Sequence, residues 1–149
     1  MAKIILQIGT SRIVLMDSIS YVDESDRGAF VVSGSHGGTS SARYALAVPL
    51  AGVVFNDAGI GKDNAGIAGI AMLDAQRIPA MAIAHTSARI GDAADTWEHG
   101  IISACNVSAA ALGVRVGMKV REAAEWMLRE GGFFTAEGAE AAEGKGARP

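Results

Sequence analysis

Three stretches of this chain gather side chains able to move a proton or hold an anion. The first reads Gly34-Ser35-His36-Gly37-Gly38-Thr39-Ser40-Ser41. The second reads Asn56-Asp57-Ala58-Gly59-Ile60-Gly61-Lys62-Asp63-Asn64, and the third His85-Thr86-Ser87-Ala88-Arg89-Ile90-Gly91-Asp92. His36 is next to a glycine and carries an imidazole suited to proton transfer near neutral pH. Asp57 or Asp63 would orient it as a carboxylate–histidine base. Lys62 can serve as a base or a point charge once desolvated, and Arg89 can grip a carboxylate or phosphate with two parallel hydrogen bonds. His36, Asp57 and Lys62 are therefore the candidate proton-transfer residues. Gly34, Ser35, Gly37, Gly38, Asn56, Ser87 and Arg89 are the candidate ligand contacts.

Each of these residues also has a structural explanation. A glycine-rich turn satisfies a positive φ as readily as it cradles an anion. An Arg89–Asp92 or Arg89–Asp57 ion pair is the commoner fate of such an arginine. The motifs that would name a chemistry are missing. Gly61-Lys62 is followed by Asp63 where a P-loop needs Ser or Thr, and Gly34-x-x-Gly37-Gly38 is not GxGxxG. No GxSxG elbow occurs, so Ser35, Thr86 or Ser87 as nucleophile has no motif behind it. His36, Asp57, His85 and Asp92 could ligate a metal only if the loops meet, and no compact ligand motif supports that. Neither metal nor organic cofactor is expected.

The elements around these stretches put them at one edge. Lys3 to Ile8 and Arg12 to Met16 read as a β-hairpin turning through Gly9, Thr10 and Ser11. Ala29 to Ser33, Gly52 to Phe55 and Ala80 to Ala84 are short apolar runs, as expected of strands buried on both faces. Between them lie a helix over Thr39 to Val48, capped by Thr39 and ended by Pro49, and one from Asp63 or Asn64 to about Gln76. Gly66 and Gly69 would bring that second helix close to the sheet. Ile102, Cys105, Ala109 and Leu112 repeat at helical spacing and end at Gly113, with His99 just before. Met118 to Arg129 is the most regular helix, with Arg121–Glu125 and Glu125–Arg129 as ion pairs.

This order predicts an α/β fold: a three-layer sandwich with a largely parallel sheet and an N-terminal β-hairpin. Right-handed crossovers would bring the loops after Ser33, Phe55 and Ala84 to the carboxyl edge, where open α/β sheets bind ligands. Residues 1–134 form one expected domain, and 135–149 (opening Thr135-Ala136-Glu137-Gly138) read as a disordered, low-complexity tail.

Composition narrows the function classes. The 149 residues carry 13 basic and 16 acidic side chains for a formal charge of -3, which argues against general nucleic-acid binding. One cysteine allows neither an internal disulfide nor a thiolate cage. No apolar run is long enough for a membrane helix, no leader pattern is evident, and the cytoplasm is the expected compartment. Nineteen glycines are nearly twice the usual share of ~7%, and aromatics are only 5%. Mean hydropathy is +0.26, high for so small a domain, and points to a homo-oligomer that buries apolar surface between subunits. The expected function is acid–base chemistry on a small carboxylate- or phosphate-bearing substrate, as a hydrolase, lyase or isomerase. The alternative is a non-catalytic metabolite-binding or assembly subunit using the same pocket.

Overall fold

The computed structural model describes residues 3–131. A hairpin opens the chain: β1 (Ile4–Ile8) and β2 (Ser11–Met16) pair antiparallel in unbroken register from Ile4↔Leu15 to Ile8↔Ser11. Its turn is the two residues Gly9-Thr10, one shorter than expected, with Gly9 at φ +59. A first turn residue at positive φ is what the right-handed twist of a tight hairpin requires, and only glycine takes it without cost.

Three strands then add in parallel: β3 (Phe30–His36) beside β2, β4 (Gly52–Asn56) beside β3, and β5 (Ala80–Ile83) beside β4. The spatial order equals the chain order, with β6 (Ile102–Cys105) closing antiparallel on β5. The result is an α/β fold on a mixed six-stranded sheet with the expected N-terminal hairpin.

Every parallel crossover steps one strand in the same direction, so crossovers of one hand must all lie on one face. Side-chain clusters agree. Val14, Val31, Val53, Phe55 and Ala80 share a core with Ile19 from the first crossover and with Ala42 and Ala45 of α1 (Thr39–Ala45). Ile70 and Leu73 from the 3₁₀ segment Ile70–Gln76 complete it. The alternate strand residues Ile13, Phe30, Val32, Val54 and Met81 pack with α2 (Ala93–His99) and α4 (Val120–Gly131), through Trp97, Val120 and Met127. α3 (Val107–Ala111) follows β6.

Several expectations are corrected. Thr39 does not cap its helix: Gly38 holds the cap position without a side-chain bond, and Thr39 is the first helical residue. The second crossover is not an α-helix but two 3₁₀ segments, Lys62–Asn64 and Ile70–Gln76. Asp63 and Asn64 both sit at φ +58, which no right-handed helix accepts. Gly66 and Gly69 are small for a different reason from the one expected. A Cβ on Gly66 would lie 2.0 Å from the Asp57 carbonyl oxygen, and one on Gly69 would lie 2.1 Å from that of Gly38. They let loop pack on loop.

The Ile102–Leu112 helix is also absent in its first half, since Ile102–Cys105 is β6. Asn106 stops it by spending its amide elsewhere: Nδ2 donates to the Ile70 and Ile78 carbonyls, and Oδ1 accepts from the Ala80 and Ala109 amides. α2 was unforeseen. Asp92 caps it through the Asp95 N–H, and His99, expected just before the Ile102–Leu112 helix, is its last residue and is followed by β6. Arg121 pairs with Glu98 of α2 at 3.1 Å and lies over the Trp97 ring, not with Glu125. The side chain of Arg129 and the segment 135–149 lie outside the described residues. Among those described, no helix is long and apolar enough to cross a membrane.

Candidate functional site

The parallel strands end together, so the three polar stretches meet at one edge. The third stretch crosses that edge as a strap. It leaves β5 and passes the end of β4, where the buried Asn56 amide donates to the Ala88 carbonyl at 3.1 Å. It then reaches β3, where the Gly91 N–H donates to the Gly34 carbonyl at 2.7 Å. A Cβ on Gly34 would lie 2.5 Å from the Asp92 nitrogen, so glycine is needed where strap and strand touch. Ser87 fastens the near end, donating to the Ala84 carbonyl and accepting from the Ile101 amide. The first stretch is tied to the second by the Gly37 N–H, which lies 3.0 Å from the Asn56 carbonyl and 2.9 Å from that of Gly66.

These bonds change what the first stretch can offer a ligand. The Gly34 N–H donates to the Asp17 carbonyl, and the Gly38 N–H donates to His36 Nδ1 at 3.0 Å. The donors of Gly34, Gly37 and Gly38 are thus all spent on the protein. Ser35 accepts the Ile19 amide at 3.0 Å. His36, the last residue of β3, is exposed, and the Ser41 hydroxyl stands 3.5 Å from its Nδ1. It is not the imidazole beside Asp57.

That imidazole belongs to His85. Asp57, just past the end of β4, has a side chain only 6% exposed. Oδ1 accepts the Gly59 N–H at 2.7 Å and the His85 N–H at 3.0 Å, and Oδ2 accepts the Ser103 hydroxyl at 2.7 Å. His85 Nδ1 lies 3.4 Å from Oδ1, and its ring is 55% exposed. Burial pushes the Asp57 carboxyl up. The hydrogen bonds from Ser103, Gly59 and the His85 backbone outweigh it, and the carboxyl titrates below the usual carboxylate range. The imidazole therefore rests against a clamped carboxylate with more than half of its side chain open to solvent.

Ser103 escaped the sequence reading because it lies within a segment of helical spacing. In the fold it falls at a register shift of β6 between the Ala82 and Ile83 pairings. Such an irregularity re-aims a side chain, here across the end of β5 to Asp57. No spacing signal in the sequence marks it.

The loop between Asp57 and Lys62 is strained. Ala58, Gly59, Ile60 and Gly61 all have positive φ, and Ile60 at φ +66 is an outlier for a β-branched residue. The Gly66 N–H holds it there by donating to the Ile60 carbonyl at 2.8 Å. Lys62 follows, exposed. Arg89 is 78% exposed, with its guanidinium 3.7 Å from Asp92. Its backbone N–H donates to Asp95, which also meets His99 Nδ1 at 2.8 Å; those two bonds hold the Asp95 carboxyl below its ordinary range. Cys105 is half-buried on β6, and burial pushes its thiol up, away from nucleophile chemistry. Among the described residues no group of three His, Cys, Asp or Glu is placed to hold a metal ion. No protein-family model, curated protein or solved structure matches the chain.

Proposed function

We propose that this protein is a small enzyme performing acid–base chemistry on a carboxylate- or phosphate-bearing metabolite, by hydrolysis, elimination or isomerisation. His85 carries the proton, and Asp57 orients its ring. One observation carries the reading: a buried carboxylate held ionised by three donors, in contact with an exposed imidazole. The three donors account for the carboxylate's own stability, but they do not call for an imidazole at its open side, which is what the reading rests on. The strained Ala58–Gly61 loop next to it adds support, because backbone strain concentrates where function over-determines the chain. Lys62 and Arg89 are the cations available to an anionic substrate, and His36 is a second imidazole at the same edge, two strands from β5. We further infer that the sheet is the middle of three layers, which the two opposed side-chain clusters support.

The test starts from binding. Isotope-labelled protein is titrated with inorganic phosphate, pyruvate and malate. Saturable shifts at Gly59, Lys62 and His85 are expected; none at all, or shifts confined to the opposite edge of the sheet, would overturn the reading. For a phosphate ester or hydroxy acid that saturates this edge, His85→Gln should lower turnover about 10²–10⁴-fold and leave affinity within a few-fold. A second reading, a non-catalytic metabolite-binding or assembly subunit, is favoured by the spent N–H groups of Gly34, Gly37 and Gly38. It predicts saturable binding with no turnover in either form.

A further inference from the structure

The two edges of the sheet are finished differently. At β6 the outward backbone groups are already used: the Ile102 N–H donates to the Met118 carbonyl, the Gly117 N–H donates to the Ile102 carbonyl, and Ile101 bridges Lys119. Among the described residues β1 has no such cover. In a two-residue hairpin the residues flanking the turn form a hydrogen-bonded pair, and the pairs alternate outward from it. Ile8, Leu6 and Ile4 therefore bond to β2, while Ile5 and Gln7 turn their N–H and C=O groups away from the sheet. An open edge is normally blunted by charge, proline or a bulge. Ile4–Ile8 has none of these, and its register is unbroken. Lys3, the nearest charge, is turned back onto its own chain at Asp26 (2.8 Å) and Asp23 (3.3 Å). Ile4 is 50% and Ile5 59% exposed, on opposite faces of the strand.

We propose that β1 is the seam of a two-fold homodimer in which the two sheets join edge to edge. The strand's own register selects a second copy. Antiparallel self-pairing about Leu6 is the arrangement that opposes all five residues of Ile4–Ile8. It sets the outward-facing Ile5 against Gln7 of the partner subunit, so both free backbone pairs close. No charged side chain lies on the strand, so two chains of net charge -3 meet there without like charges opposite one another. A five-residue ribbon alone falls short of the roughly 1,200 Å² that a stable interface buries. The two-fold axis of such a pair stands perpendicular to the sheet and keeps α4, which packs on β1, on the same face in both copies. Strand and helix flank together make a modest interface, with a Kd on the order of micromolar.

The test is sedimentation of the full chain from about 1 µM to about 500 µM, with Ile5→Pro and Ile5→Lys alongside. Proline at position 5 removes an outward N–H and leaves every β1–β2 bond intact, since Ile5 and Val14 are a non-hydrogen-bonded pair. Lysine there sets charges close together across the seam. The wild type should pass from 15.3 kDa to twice that mass. Each variant should associate at least roughly thirtyfold more weakly with an unchanged thermal midpoint, because two symmetry-related contacts are lost at once. A wild type that stays monomeric to the top concentration overturns the proposal, as does a folded variant that dimerises like the wild type. If Ile5→Pro melts early, Ile5→Lys decides.

Discussion

Replacing Asp57 by Asn separates the charge of this carboxylate from its shape. Asn keeps an oxygen for the Gly59 and His85 amides and presents its NH₂ to Ser103, whose hydroxyl can turn to accept. Three charge-assisted bonds become three neutral ones. Charge-assisted bonds contribute about 1.5–3 kcal/mol each against about 1 kcal/mol for neutral ones, and only part of that difference survives relaxation of the loop. The expected loss is therefore about 1–3 kcal/mol at neutral pH. The pH dependence identifies the cause. Because Asp57 titrates lower folded than unfolded, its contribution is complete above the unfolded value of about 3.9 and is lost as pH falls through the folded value. Urea unfolding of wild type and Asp57→Asn at a series of pH values should show a gap that is constant above about pH 5 and closes on acidification. A gap of equal size at pH 7 and at pH 3 would refute the reasoning, since the mutation would then be acting through shape.

Other perturbations read the packing around the site. Gly66→Ala should cost more than about 3 kcal/mol or prevent folding, because the new methyl meets the Asp57 carbonyl; Gly61→Ala meets open space and should cost only its backbone strain at φ 72, ψ -167, about 1–3 kcal/mol. Chemical denaturation of the pair checks both. Asn106→Ala strips four buried hydrogen bonds and should lose about 3–5 kcal/mol in the same assay. Arg121→Ala removes an exposed pair with Glu98 and the cover of Trp97, so stability should fall by less than about 1 kcal/mol while Trp97 fluorescence shifts.

Periodicity served the sequence reading well where an element is buried on both faces. Val53–Val54–Phe55 and Ala80–Ile83 can only be central strands once they are short, apolar and bounded by glycine or proline. Their parallel pairing follows from the crossovers between them. It failed at Ile102–Cys105 because four residues cannot distinguish a period of 3.6 from one of 2. The deciding information was the amide of Asn106, whose partners Ile70, Ile78 and Ala80 are far away in sequence. The same limit hid the histidine that belongs to Asp57. The sequence pattern puts both His36 and His85 just past strand ends, whereas β3 runs through His36; register together with the strap decides between them. Ser103 could not be found at all, since its role arises from a register shift on a strand that the sequence pattern disguises.

The glycines carry the more general argument. A Gly-rich turn at the carboxyl end of a parallel strand has two physical explanations, an anion held on free N–H groups or a backbone laid against another backbone. Composition does not separate them. What separates them is where the N–H groups go. In this fold those of Gly34, Gly37 and Gly38 all end on protein acceptors, and Cβ atoms at Gly34, Gly66 and Gly69 would run into neighbouring backbone. The glycines therefore build the strapped rim on which Asp57 and His85 are mounted. In the proposed function, recognition of an anion falls instead to side chains that remain exposed, Lys62 and Arg89. That division predicts how two lysine-for-arginine and alanine variants will differ. Arg89→Ala should weaken binding of a saturating anion by about 0.5–1.5 kcal/mol, since the guanidinium is 78% exposed, and Arg89→Lys should restore only part of it, because the forked guanidinium is lost while the charge is kept. Calorimetry with inorganic phosphate and malate measures both, and equal affinity in all three forms would remove Arg89 from the site and leave its pair with Asp92 as its whole role.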